Sequence, residues 1–341
     1  MPASRADVNN VRRVAVISGR ALTVDAVTRI RRMARRGALG VVALALGVTG
    51  CSAVYNAATS PGEHPARSLA PSGQFVEAGG VLTHYESFGE RGSPIVLIGG
   101  FLEPSDTWDA VARRLGRDHR VFALDLAGFG YSERSGHYLL DDWQRQLDAF
   151  MRALGIERAV LAGHSLGAGV AAAEALARPG RTSGIVLVDG DALRSGGGPG
   201  FARDLIVDPY RTSAVRIVLG WDWAMREIIR RAYSPDPVRI DAVELARWRR
   251  PLRVEGTERA LAQMISDGIQ GLGLSDLSRV RVPAAVVFGA RDGAVPVASG
   301  RRVAKLLHAR ITIIPGAGHL SQITHPAAVA AVIARAASAW K

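Results

Sequence analysis

The chain has 341 residues, of which 48% are hydrophobic and 22% are charged, as expected for a globular protein with a full core. Its formal charge of +12 is concentrated at the front, because residues 1–50 hold 9 of the 43 basic residues and only 2 of the 31 acidic ones. Residues 51–341 carry a net charge of about +5, which is modest for a protein surface, so we expect no nucleic-acid partner. The single cysteine excludes an intramolecular disulfide.

Residues 1–50 have the pattern of a targeting segment. An apolar run over residues 37–50 is too short to span a bilayer as an ordinary helix but suits the hydrophobic region of a signal sequence. It ends in Val48-Thr49-Gly50-Cys51, which resembles the lipobox of bacterial lipoproteins, where the cysteine is lipidated and becomes the first mature residue. We therefore expect a lipid anchor on Cys51 and a location at the bacterial cell envelope. A plain secretory signal and a twin-arginine route stay open. The basic residues before the run are Arg29, Arg31, Arg32, Arg35 and Arg36.

The sequence also bears on where translation starts and on the segment that follows Cys51. A basic lead of 36 residues is long for a signal, so Met33 is an alternative start that would leave residues 1–32 untranslated. Residues 51–73 contain prolines among Ala and Ser and show no periodicity, which predicts a flexible tether behind the lipidated cysteine.

From residue 74 onward, apolar runs alternate with helical patterns. Residues 74–88 suggest a β-hairpin, and continuous apolar runs such as Pro94 to Ile98 are typical of buried parallel strands. Residues 191–282 carry helical patterns only, after which the alternation resumes. The pattern predicts a doubly wound α/β core over residues 74–190 and 283–341 with a helical insertion between them.

The strongest chemical motif is Gly163-His164-Ser165-Leu166-Gly167, which joins a short apolar strand to an Ala-rich helix. Strand, G-x-S-x-G and helix form a nucleophile elbow, in which a strained turn lifts the serine hydroxyl above the sheet. The glycines fit because residues two positions from the serine have almost no room for a side chain. Ser165 is therefore the candidate nucleophile.

An activated serine needs a base within hydrogen-bonding reach and an acid that orients that base. His319 lies in a glycine-rich loop, Pro315-Gly316-Ala317-Gly318-His319, after the last predicted strand, and Asp292 follows the strand before it. Both lie at carboxyl ends of strands, where open α/β sheets place their sites. Asp189, after an earlier strand, is a rival acid, and the chain order Ser, Asp, His favours Asp292.

Four motifs together, G-H-S-L-G, D-L-A-G-F-G-Y-S, F-G-A-R-D and P-G-A-G-H, resemble those of the α/β-hydrolase fold superfamily, in its serine-nucleophile branch with a helical cap. The resemblance covers about residues 74–341. It implies an eight-stranded, mostly parallel sheet with the cap after the sixth strand. It also implies that Ser165 is the nucleophile, His319 the general base and then acid, and Asp292 its partner.

The same resemblance places the oxyanion hole on the backbone N–H groups of Phe101 and Leu166. One departure stands out, because the family usually has His-Gly before the first donor and this chain has Gly99-Gly100. The donor is a backbone group, so the hole is compatible with this change, although its orientation is in question.

These features predict a serine hydrolase acting on a carboxylic ester or related acyl bond of a small-molecule or lipid substrate, without metal or cofactor. A cofactor-free haloperoxidase-like enzyme, a C–C or amide hydrolase of the same fold, and a low-turnover envelope binding protein stay open. Carbon–carbon bond hydrolases commonly carry Trp after the catalytic His, where this chain has Leu320. The large apolar residues Trp108, Trp221, Trp223 and Met225 are candidates for an acyl pocket, and Arg247, Arg249, Arg250 and Arg253 are interpreted as a solvated charge run.

Overall fold

The computed structural model describes residues 16–17, 20–21, 24–59, 62–194, 209–268 and 270–340. The chain separates into two compact units, Met1–Ala57 and Ala58–Lys341, which are described one after the other.

The first unit consists mainly of one long helix, α1, over Val24–Ala58, preceded by a short antiparallel pair, Val16–Ile17 and Arg20–Ala21. Its segment Arg31–Ala58 has 28 residues and a mean hydropathy of 1.9, so it is long and apolar enough to cross a membrane. The prediction of a short apolar run ending at residue 50 followed directly by a tether is wrong here. The small and apolar residues after Cys51 continue the helix, since none of them breaks it before Ala58.

The predicted tether is also wrong for residues 63–69, which belong to the second unit and contact its cap. His64 N donates to the carbonyl oxygen of Arg253 at 2.8 Å, and the His64 carbonyl accepts from Glu255 N at 2.9 Å, which sets His64 opposite Val254. Helix α2, Ala66–Leu69, follows. The Glu63 carboxylate accepts from the N–H of Gly256 at 3.0 Å, at the start of a helix, where negative charge is favourable. These are long-range contacts, which local composition does not reveal.

The second unit is built on one eight-stranded sheet, as predicted. Its strands are β1 Gln74–Ala78, β2 Val81–Phe88, β3 Pro94–Ile98, β4 Arg120–Leu124, β5 Ala159–His164, β6 Thr182–Val188, β7 Ala284–Gly289 and β8 Arg310–Ile314. Their order across the sheet is β8-β7-β6-β5-β3-β4-β2-β1. Strand β2 is antiparallel to both of its neighbours, β1 and β4, and β1 and β2 form the predicted hairpin. The other neighbours are parallel, so their carboxyl ends share one edge.

Helices cover both faces of the sheet. The first layer, which packs on the cluster around Trp143, Leu161 and Phe288, comprises α4 Leu140–Ala153, α5 Leu166–Ala177, α10 Leu274–Leu277 and α11 Val297–Leu306. The second layer, which packs on the cluster around Trp108, Val186 and Ile333, comprises α3 Asp109–Leu115 and α13 Pro326–Ala339. Strands buried on both faces explain the continuous apolar runs in the sequence.

The predicted helical insertion lies between β6 and β7, the sixth and seventh strands. Its helices are α6 Tyr210–Gly220, α7 Asp222–Tyr233, α8 Ala242–Arg249 and α9 Thr257–Asp267. They enclose a third apolar cluster that includes Met225, Trp248 and Leu261, and Leu320 of the core packs into it. The cap therefore closes over the loop that follows β8, where the short helix α12, Ser321–Thr324, begins.

Candidate active site

The turn between β5 and α5 holds Ser165 in a left-handed backbone conformation, with φ of 50°. A non-glycine residue rarely adopts this region unless its surroundings enforce it. A Cβ on Gly163 would lie 2.1 Å from the carbonyl oxygen of Gly167, and one on Gly167 would lie 2.4 Å from that of Ile98. Only glycine fits at these two positions, because neighbouring backbone atoms occupy the space that a Cβ would need.

The three residues predicted from the motifs lie together at the carboxyl edge of the sheet. His319 Nε2 is 3.1 Å from Ser165 Oγ, and His319 Nδ1 is 2.9 Å from Asp292 Oδ2. Asp292 also accepts from the backbone N–H groups of Ala294 and Val295 at 2.8 and 2.9 Å, which fixes its carboxylate. With its proton on Nδ1, His319 donates to Asp292 and is able to accept the serine proton at Nε2.

The rival acid, Asp189, has different partners. Its carboxylate accepts from Gly289 N at 2.7 Å, from Ser321 N at 3.1 Å and from the Ser321 hydroxyl, and it is fully buried. Burial raises the pKa of Asp189 to about 6. It therefore ties the ends of β6 and β7 to the segment after His319, which is a positioning role.

The two predicted oxyanion donors lie on either side of Ser165. Leu166 N is the first N–H of α5, where a helix leaves its donors without intrahelical partners. Phe101 follows the two glycines after β3 and lines the same cavity as Ser165 and His319. Neither N–H donates to another group in the described part of the chain, so both are available to an anionic oxygen.

A buried ion pair between Glu103 and His164 supports the loop after β3, in which Gly99 takes the place of the histidine expected from the resemblance. His164 Nδ1 lies 2.7 Å from Glu103 Oε1, and both side chains are almost fully buried. Glu103 Oε2 accepts from Gly100 N at 3.0 Å, while His164 Nε2 lies 2.7 Å from the carbonyl oxygen of His319. One pair thus connects the oxyanion loop to the backbone of the candidate base.

The charges of this pair stabilise each other. Burial disfavours the charged imidazole, but the Glu103 carboxylate and its hydrogen bond outweigh that effect and raise the pKa of His164 to about 9. Burial likewise disfavours the Glu103 carboxylate, yet its interactions with His164 lower its pKa below the ordinary value. His164 is consequently a cation at neutral pH.

The cap contributes one group to the loop of His319. Asp236 Oδ2 accepts from Gly318 N at 2.9 Å and from Thr324 Oγ1 at 3.2 Å, so a cap residue brackets the candidate base. The cap segment and the His319 loop approach closely, as a Cβ on Gly318 would lie only 2.4 Å from the carbonyl oxygen of Ser234. Cap position and histidine position are therefore coupled.

Sequence analysis missed Glu103 and Asp236, for different reasons. Glu103 lies five residues beyond β3 at the edge where the site forms, and its acidic side chain near an apolar strand end is a signal that could have been used. Asp236, between two prolines of the cap, resembles an ordinary turn residue, and its partner is 82 residues away in sequence.

An apolar cavity of about 370 Å³ leads to Ser165. Of the pocket candidates, Met225 lines it together with Ile229, Trp248 and Leu320, whereas Trp108 is in the opposite core layer. Trp221 and Trp223 are exposed on the cap. Among the described lining residues, the only ionisable ones are Glu103 and His319, and none is Lys or Arg.

The arginines interpreted as a solvated charge run divide into two sets. Arg247 Nε lies 3.4 Å from Asp106 on the core and its Nη1 3.1 Å from Glu244, so it connects core and cap. The other three lie along one surface groove. Within the described ranges, the structure contains no group of three or more His, Cys, Asp or Glu placed to hold a metal ion.

Comparison with known proteins agrees with this arrangement. Residues 95–332 match the family model described as the alpha/beta hydrolase family. The chain is 28% identical over 268 residues to a 2-hydroxy-6-oxo-2,4-heptadienoate hydrolase of Pseudomonas putida, covering 74% of this chain and 91% of the relative. It is 29% identical to an acetyltransferase component of an acetoin-cleaving system of Pseudomonas putida, covering 74% of this chain and 66% of that one.

Solved structures show the same fold. A serine hydrolase involved in carbazole degradation superposes with a TM-score of 0.65 at 26% identity, covering 79% of this chain and 99% of that chain.

The Glu103–His164 pair makes stability depend on pH above neutrality. The pKa of His164 is about 9 in the folded protein and near 6.5 when unfolded, so the folded state binds more protons between these values. We expect the free energy of unfolding to fall by roughly 2–3 kcal/mol as the pH rises from 6.5 to 9, measured by urea denaturation in a neutral detergent.

The matched control is the neutral pair Glu103→Gln/His164→Gln, in which the contribution of His164 to this slope should disappear. Burial raises the pKa of Asp106 and of Glu174 to about 7 in both proteins, so their contributions cancel in the comparison. Equal slopes in the two proteins would show that His164 is not charged in the fold.

Proposed function

Because the chain belongs to the α/β-hydrolase family, we propose that it is a serine hydrolase that cleaves a carboxylic ester or related acyl bond with an apolar acyl group. The observation that carries the proposal is the apolar cavity that Ser165 and His319 line. Since cap helices form its walls, the acyl group would be bound mainly by burial of its hydrocarbon.

The first half of the proposed reaction forms an acyl-enzyme. Ser165 Oγ attacks the carbonyl carbon while His319 Nε2 takes the hydroxyl proton, over the 3.1 Å that separates the two atoms. Asp292 stabilises the imidazolium, and the N–H groups of Phe101 and Leu166 bind the negative oxygen. The intermediate collapses as His319 returns the proton to the alkoxide leaving group.

The second half releases the acid. His319 takes a proton from a water molecule, whose oxygen attacks the acyl carbon, and the same two N–H groups bind the second oxyanion. Collapse of this intermediate returns the proton to Ser165 Oγ and leaves the carboxylic acid as product. The net change is hydrolysis of one acyl bond, with no other reactant than water.

Carbon–carbon bond hydrolysis is the second candidate, since several relatives are named for it. Two observations favour the ester. The Pseudomonas putida relative is named for a heptadienoate, which carries a carboxylate, whereas the described lining of this cavity offers no Lys or Arg to bind one. Leu320, buried against the cap, stands where the C–C hydrolases commonly have Trp. Amide hydrolysis, haloperoxidase-like activity and a low-turnover binding role remain alternatives of the same fold.

The acyl preference should follow the cavity. With p-nitrophenyl esters from acetate to palmitate and the full chain in neutral detergent, we expect kcat/KM on hexanoate or octanoate to exceed that on acetate by at least ~10-fold, because additional methylenes are buried. Ser165→Ala should lose this activity entirely. An optimum at acetate, or activity that survives Ser165→Ala, would contradict the proposal.

A matched pair of cap variants sharpens this test. Met225→Trp fills the cavity and should lower kcat/KM on octanoate far more than on acetate. Val243→Trp is the control, since Val243 is on the same cap but 77% exposed and outside the cavity. Equal effects of the two substitutions would place the acyl group elsewhere.

We further propose that the chain is anchored at the bacterial cell envelope through a lipid on Cys51, with α1 as the segment that directs its export. The supports are the apolar segment Arg31–Ala58, the arginines before it and the exposed Cys51 thiol. Metabolic labelling with a palmitate analogue in a bacterial host should mark the wild type and leave Cys51→Ser unlabelled. If both proteins fractionate with the membrane and neither is labelled, α1 acts as the anchor without lipidation.

A further inference from the structure

The cap carries a second cavity that the proposed chemistry does not use. It is a surface groove of about 580 Å³ between α6, α7 and α8, lined by Arg226, Arg249, Arg250 and Arg253. Among the described residues of its lining, Asp222 is the only acidic one, and it pairs with Arg249. We call it the arginine groove. Four guanidinium groups against one carboxylate leave a concentrated positive charge.

Backbone carbonyls and a histidine ring hold three of these guanidinium groups in place, and one of the three, Arg249, also pairs with Asp222. Arg226 donates to the carbonyl oxygen of Ile240, and Arg249 Nη2 donates to that of Leu219 at 2.9 Å. Arg253 Nη2 is 2.8 Å from His64 Nε2. The contacts of Arg226 and Arg253 orient their side chains without cancelling their charge. Each guanidinium has five N–H donors, so donors are left for a ligand.

The fourth arginine, Arg250, differs from the other three in its contacts. Arg250 is exposed, and no hydrogen bond or ion pair joins its guanidinium to the residues that the structure describes. Planar guanidinium groups match the oxygens of a phosphate bidentately, which makes several of them in one concave site an arrangement suited to a phosphate group.

The rim of the groove indicates where this phosphate comes from. Trp221 and Trp223 flank the lining residue Asp222 in sequence; they are 44% and 63% exposed, with ring centroids 5.9 Å apart. Exposed tryptophans beside arginines are typical of surfaces that meet a membrane interface, where the indole ring lies at headgroup level. Helix α1 of the same chain is independently apolar enough to enter a bilayer.

We propose that the arginine groove binds the phosphate of an anionic phospholipid headgroup, with Trp221 and Trp223 inserted at the lipid surface. The cap would then face the membrane through a site separate from the catalytic cavity. This assignment does not depend on the proposed hydrolysis, since it requires no turnover.

Native mass spectrometry of the detergent-solubilised full chain tests it. The protein carries Ser165→Ala so that lipid is not consumed, and it is titrated with phosphatidylglycerol, phosphatidylcholine or inorganic phosphate. We expect phosphatidylglycerol to bind more tightly than phosphatidylcholine. Arg250→Gln/Arg253→Gln should weaken phosphatidylglycerol binding at least ~10-fold, since two charge-assisted contacts are lost.

The control is Arg301→Gln/Arg302→Gln, which removes two exposed arginines of α11 and should leave the affinity unchanged. Lipid bound by the arginines of α1 is common to all variants and cancels, and thermal unfolding checks that each variant is folded. Equal affinities of both double variants overturn the proposal. Phosphate that binds with the same arginine dependence while the lipid does not overturns the headgroup assignment and makes the groove a site for free phosphate.

Discussion

At the turn after β5, the backbones of this strand, of the following helix α5 and of the neighbouring strand β3 lie so close together that almost no side-chain atom fits between them. Gly163 and Gly167 meet this constraint because they have no Cβ, and Ser165 is held at a φ of 50° as a result. That strained turn aims the hydroxyl at His319 and leaves the first N–H of α5 without a partner. The positions of the proposed nucleophile, the proposed base and one proposed oxyanion donor thus have a common geometric origin.

Buried charges hold the surrounding loops against this turn. Glu103 binds the loop after β3, His164 binds the backbone of His319, and Asp189 binds the segment that follows it. Each charge lies in a region of low polarity, where an unpaired ion is costly and a paired one has a fixed geometry. The Gly99-Gly100 departure is compatible with a formed oxyanion loop for this reason, because Glu103 reaches the N–H of Gly100 directly.

The sequence predicted those parts of the molecule that local patterns encode. Apolar runs buried on both sheet faces, the break in alternation after β6 and the glycine-bracketed Ser165 each depend on neighbours in the chain. His319 and Asp292 were found because strand ends converge on one edge of a parallel sheet. The contacts of residues 63–69 with the cap, the hydrogen bonds of Asp236 and the approach of Arg226 to the arginines at 249–253 depend on contacts between distant segments, for which no local pattern exists.

The central claim is that Ser165 is activated by His319, and reaction with a fluorophosphonate tests it most directly because no substrate need be known. The full chain should form one covalent adduct, located on Ser165 by peptide mass spectrometry. His319→Ala should react at least ~1,000-fold more slowly, since the hydroxyl then has no base. An adduct on another residue, or equal rates for wild type and His319→Ala, would contradict the account.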